Sequence, residues 1–95
     1  MMDSPDLRTL LATRGMGIAE VERRAGTGRE SLRRLADGRR SALRTSTGVI
    51  LRLAQAARLP VERLLLAIDR TRTFRAERAE RRRRTEDAIE AARRG

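Results

Sequence analysis

Apolar residues along the chain recur at spacings of three and four in five short blocks, and each block reads as one helix. The first block holds Leu7, Leu10 and Leu11. Ser4-Pro5-Asp6 before it predicts a helix start: a serine N-cap, a proline at the first helical position, then an acid at the positive helix end. Gly15 closes this helix after Arg14, Met16 is expected in the core of the link, and Gly17 caps the second helix. The second block places Ile18, Val21 and Ala25 on one face. Ala25-Gly26-Thr27-Gly28 then breaks the helix, because Gly enters the left-handed conformation that a C-cap needs. A third helix is predicted to restart at once, with Leu32 and Leu35 inside, Arg29, Glu30, Arg33 and Arg34 outside, and Gly38 at its end.

The loop RRSALR at 39–44 follows, with Leu43 expected to anchor into the core. Thr45-Ser46-Thr47 offers three N-caps for a fourth helix, whose buried face is Val49, Ile50, Leu53, Ala54 and Ala57. Leu59-Pro60-Val61-Glu62 starts a fifth, with Pro60 at the first helical position and Leu64, Leu65 and Ile68 packing inward. No strand pattern and no fixed repeat occurs. The expected fold is all-α: a compact five-helix helix-turn-helix bundle with a basic C-terminal helical extension.

The apolar pattern fails at Asp69. Residues 1–68 are therefore expected to form the helix-turn-helix domain, and 69–95 an Arg-rich helical tail. That tail holds ten Arg and six acids and no continuous apolar stripe. Glu77 and Arg81, Glu80 and Arg84, and Glu90 and Arg94 are four apart in the favourable order, each pair contributing about 0.2–0.5 kcal/mol. The tail is expected to be polar nearly all round, frayed at its end, and able to continue the fifth helix.

Length and composition narrow the chemistry. The 95 residues suit one domain. The absence of Cys and His removes disulfides, the commonest zinc ligands, thiol nucleophiles and imidazole bases. No metal site, cofactor or enzymatic activity is expected, since no nucleophile–base pair or phosphate-cradling loop is visible. Net charge is +10, with Arg as the sole basic residue, so polyanions are the expected partners. The longest strongly apolar run, Leu64-Leu65-Leu66-Ala67-Ile68, is far too short to span a bilayer, and MMDSPDL lacks a secretory pattern. A soluble cytoplasmic, nucleoid-associated protein with no membrane partner is expected. Nucleic acid and anionic membrane surfaces are the polyanions that the +10 charge attracts; Phe74 is the one aromatic residue, which disfavours a single-strand or RNA binder that stacks bases on rings.

Charge gathers around the third helix. Residues 23–44 hold eight Arg against two acids. Arg24, Arg39, Arg40 and Arg44 flank the helix as candidate phosphate clamps, against which stands a merely solvated basic face. The hydroxyls of Thr45, Ser46 and Thr47, with the start of the fourth helix, can also meet a phosphate, although capping explains them nearly as well. Gly28 in the turn completes this candidate set. Thr27-Gly28-Arg29-Glu30 fits a capping box, and Glu30 also stands four before Arg34 and could hold it. In the tail, Arg81-Arg82-Arg83-Arg84 is a candidate DNA arm; a solvated helix and a contact for a second protein chain are the other two readings.

Two segments, MGIAEVERRAGTGRESLRRLADGRR and GVILRLAQAARLPVERLL, resemble the lambda repressor and Cro family of helix-turn-helix DNA-binding domains. The likeness covers residues 5–68. Met16, Ala25, Gly26, Leu32, Leu35, Gly38, Ile50, Leu53 and Ala54 occupy the family's framework positions. Three positions depart from it: Ile18 where a phosphate-contacting Gln is frequent, Arg58 where Gly is frequent, and Pro60 in place of a Ser cap. The resemblance implies a third helix in the major groove, with Arg29, Glu30 and Arg34 at base-reading positions and Arg33 beside them. Arg suits guanine O6 and N7, and Glu can accept from cytosine N4. It also implies a homodimer on a two-fold operator. The expected function is a bacterial or phage transcriptional repressor. An antitoxin that binds both operator and toxin, and an architectural protein that binds duplexes without sequence preference, are the alternatives.

Overall fold

The computed structural model describes residues 5–95. Five α-helices follow one another: α1 Leu7–Thr13, α2 Ile18–Ala25, α3 Ser31–Ala36, α4 Thr47–Ala56 and α5 Val61–Arg94, with one 3₁₀ turn, Ala42–Arg44, between α3 and α4. No strand occurs among the described residues. The chain is an all-α bundle with α5 running out of it as a helical extension. α2 packs on α3 and α4, while α5 closes the other side against α1, α3 and α4.

The predicted inner residues meet in one core. Leu7, Leu11, Val21, Leu32, Leu35, Leu53, Leu64 and Ile68 are fully buried, and Leu10, Ala36, Ile50, Ala54, Ala57 and Leu59 lie around them. Met16, Ile18, Ala25 and Val49 pack against its edge, partly exposed. The spacing of three and four works because it keeps successive apolar side chains on one helical stripe.

Helix ends follow the glycines. Gly26 is left-handed at φ 66° and donates its N–H to the Glu22 carbonyl, ending α2. Gly38 ends α3 at φ 74°. It also lies under α5: a Cβ there would stand 3.2 Å from the Arg75 Cβ and 3.4 Å from the Thr71 carbonyl oxygen. Two constraints therefore demand glycine at this position.

Several expectations need correction. The predicted cap Ser4 lies outside the described residues, and Pro5 precedes α1 rather than opening it. Asp6 is the N-cap, its carboxylate accepting the Thr9 N–H at 2.9 Å. Leu43 does not anchor the loop; it is 97% exposed. The tight 3₁₀ turn directs Ala42 to the core instead, and its neighbour therefore points out. Leu65 is exposed as well, because the buried stripe of α5 runs through Leu64, Ala67, Ile68 and Thr71. Pro60 is the N-cap of α5, one position earlier than expected, with an extended ψ of 143°.

The most consequential correction concerns α3. It has six residues and starts at Ser31, not directly after Gly28. Arg29 and Glu30 lie in the turn before it, and Glu30 is left-handed at φ 70°. No capping box forms: Glu30 makes no side-chain cap, and the Thr27 hydroxyl pairs with that of Ser31 at 2.7 Å. The Glu30 carboxylate lies beside the Arg34 guanidinium instead, at 3.6 Å.

α5 spans 34 residues without a break, about 50 Å at 1.5 Å per residue. Its first turns belong to the core. Buried Thr71 accepts the Leu7 N–H at 2.9 Å and donates to the Ala67 carbonyl at 2.7 Å, joining α5 to the start of α1. The Arg70 guanidinium lies 4.3 Å above the Phe74 ring. Beyond them every residue from 75 to 95 is exposed. Glu80 pairs with Arg83 and Arg84, and Glu90 with Arg94. The helix runs to Arg94, with the Gly95 N–H on the Ala91 carbonyl.

Candidate nucleic-acid interface

The α2–turn–α3 unit is held by a contact between helices. Glu22, near the end of α2, accepts the Leu32 N–H at 2.9 Å and the Arg33 N–H at 3.3 Å. These are free donors of the first turn of α3, and a carboxylate is the acceptor best matched to them. Glu22 thus does the work expected of Glu30, and it fixes the angle between the two helices. No local pattern reveals it, since cap and helix are ten residues apart and meet only in the fold.

Arg29, Glu30, Arg33 and Arg34 are all exposed. They divide between two flanks of α3. Arg29, Glu30 and Arg33 line a concavity of about 870 Å³ together with Arg8 of α1 and the start of α2. Arg34 stands outside that concavity and pairs with Glu30 at 3.6 Å, both side chains more than half exposed. Such a pair is weak in water, so both groups can exchange it for a partner of comparable polarity.

The candidate phosphate ligands are arranged around this unit. Arg24 is engaged by Glu20 at 2.9 Å on the outside of α2. Exposed Arg39 and half-buried Arg40 follow α3 directly, and both of their N–H groups reach the Arg34 carbonyl. Arg44 ends the 3₁₀ turn and is exposed. Thr45 is half-buried and its hydroxyl is occupied by the Ser41 carbonyl at 3.1 Å. Ser46 is the N-cap of α4, accepting the Val49 N–H at 3.3 Å, and Thr47 opens that helix in the open. Gly28 is exposed at φ 86°, with its carbonyl accepting from Ser31. Arg81, Arg82, Arg83 and Arg84 are exposed on the extension and do not share one face, since consecutive helical residues turn by 100°.

One further ionic link was not foreseen. Arg8 of α1 holds Asp37, the residue after α3, and the Arg75 guanidinium donates to the Asp37 carbonyl at 2.7 Å. The Arg8 hydrogen bond lowers the Asp37 carboxyl below its ordinary value of 3.8, with Arg39 and Arg33 adding to the effect. The C-terminal end of α3 is thus tied to α1 and α5, as its N-terminal end is tied to α2.

Among the described residues, no group of three or more His, Cys, Asp or Glu could hold a metal ion. No helix there is long and apolar enough to cross a membrane. Comparison with family models, curated proteins and solved structures returns no match.

Proposed function

We propose that this chain is a sequence-specific double-stranded-DNA-binding transcriptional regulator, a repressor of bacterial or phage origin that inserts α3 and the turn before it into the major groove. The observation that carries the proposal is a short helix braced at both ends with its basic side left bare. Glu22 holds its start, Arg8 and Arg75 hold its end, and Arg29, Arg33 and Arg34 stay exposed. Bracing of this kind costs the helix its mobility, which is useful where side chains must meet base edges in register.

In this reading Arg29 and Arg34 take guanine edges. Glu30 has two roles: it holds Arg34 in the free protein and accepts from cytosine in the complex. Arg33 stands beside them. Arg24, Gly28, Arg39, Arg40 and Arg44 meet phosphates on either side, and the open start of α4 at Ser46 and Thr47 offers amides to another. Thr45 drops out of the phosphate set, because its hydroxyl donates to the Ser41 carbonyl and its N–H to the Ala42 carbonyl. A homodimer on a two-fold site fits the small surface of a single unit. Arg34→Ala checks base reading. Titrations against a preferred duplex and a random one should show a loss of about 1–3 kcal/mol confined to the preferred sequence. Equal loss on both would leave Arg34 as a backbone contact and remove the base-reading role.

A further inference from the structure

α5 lies directly against the exit of α3, and the two elements enclose a groove of about 500 Å³. Its charged walls are Arg8, Asp37 and Arg39 on one side and Arg75, Arg78 and Arg82 on the other. The α5 wall is one stripe. Thr71, Arg75, Arg78 and Arg82 follow one another at steps of four, three and four, so they share a face. Thr71 anchors that stripe to α1, and Arg75 anchors it to the Asp37 carbonyl. Arg78 and Arg82 continue it beyond the bundle, with small Ala79 keeping the floor open.

The acids in this groove are already committed. Asp37 is taken by Arg8, and Asp6 caps α1. Arg39, Arg78 and Arg82 therefore face one space with no ion-pair partner among the described residues. The opposite face of the same helix behaves differently: there Glu80 satisfies both Arg83 and Arg84. Within the 81–84 run, Arg82 lines the groove unpaired, whereas Arg83 and Arg84 lie outside it and share Glu80. Arg39, Arg78 and Arg82 line one groove, and a phosphate there can accept the paired N–H donors that guanidinium groups present.

We propose that this groove is a phosphate site, in which Arg39, Arg78 and Arg82 grip the sugar–phosphate backbone of the duplex that α3 reads. The proposal rests on the DNA-binding reading given above and names a contact outside the helix-turn-helix unit. Continuity of the surface favours a backbone over a small anion. Arg8 lines both this groove and the concavity at Arg29, Glu30 and Arg33, so one basic surface runs from the start of α3 past its end and onto α5. The run at 81–84 then divides: Arg82 belongs to the site, while Arg83 and Arg84 do not.

The test compares three full-length proteins on one preferred and one random duplex: the parent, Arg78→Gln/Arg82→Gln, and Arg83→Gln/Arg84→Gln. The two double variants lose the same formal charge from the same exposed helix; the control also releases Glu80 from its two pairs, so circular-dichroism melts of both variants check that the helix is retained. Loss of two backbone contacts should make the slope of log affinity against log salt shallower by about 1.8 in the groove variant on both duplexes, with little change in the control. Equal shifts in the two variants, or none in either, would overturn the groove. A parent protein that favours no sequence, with slopes still differing, would overturn base reading and leave the groove standing. Titration with inorganic phosphate guards the remaining case: amide shifts at Gly38 and Arg39 with an unchanged duplex slope would assign the groove to a free anion and contradict the proposal.

Discussion

Single residues show where this small bundle holds strain and where it stores strength. Arg58 is left-handed at φ 55°, immediately after α4. A non-glycine residue in that region costs about 1–2 kcal/mol. Among the described residues, the one side-chain bond made to it, from Arg14 at 3.2 Å, uses its backbone carbonyl and survives truncation. Arg58→Gly should therefore raise the unfolding free energy by about 1 kcal/mol, read from urea denaturation. Thr71 is the reverse case, a buried hydroxyl with both of its bonds made. Thr71→Val strands the Leu7 N–H and should lower stability by about 1–3 kcal/mol, whereas Thr71→Ser should keep most of it. Asp37 makes stability depend on acid. Its carboxyl is lowered in the folded chain, so its contribution is full above the ordinary value of 3.8 and disappears as pH falls through the folded value. Asp37→Asn should lie below the parent in stability at neutral pH, and the two should converge on acidification below pH 3.8. Glycine positions were legible from sequence, because the backbone conformation that Gly permits is a local matter. The Arg8–Asp37 link was not, since the partners stand 29 residues apart.

At the scale of elements, the α2–turn–α3 unit is where prediction and structure separate most usefully. The inner residues of both helices fell where periodicity put them, because burial depends only on the helical repeat. The start of α3 did not. Two residues with positive φ, Gly28 and Glu30, lengthen the turn, and the second has no sequence signature. Glu22 then supplies the cap that the turn itself lacks. Glu22→Ala should cost about 1–2 kcal/mol of stability and weaken DNA binding by loosening α3, while Glu22→Gln keeps an acceptor and should lose less. Thermal melts and duplex titrations on the same two variants check both halves. In the 3₁₀ turn, Leu43 was misplaced for a related reason: inside a loop there is no periodicity to say which side faces in.

For the whole molecule, the question is how a 34-residue helix that buries only its first turns relates to the rest. Hydropathy alone suggests a division at Asp69, because the apolar stripe ends there. The structure continues past it: Thr71 and Arg75 tie α5 to α1 and to the end of α3. Polar side chains carry these ties, so a scan for apolar spacing passes over them. The extension and the bundle together present basic groups over a long front, within overall dimensions of 56 × 32 × 23 Å. If six phosphates are neutralised along it, log affinity should fall with log salt at a slope of about −5. A slope near zero would remove the electrostatic basis for duplex binding.

The most direct measurement is a selection from random duplexes, run in parallel with the parent protein and with Arg34→Ala. The parent should enrich a short G·C-containing half-site, repeated about one helical turn apart if two chains bind together. The variant should return the same site with preference relaxed at one base pair. Enrichment of no sequence by the parent, or an identical site from both proteins, would contradict the claim that the braced helix after Glu30 reads DNA.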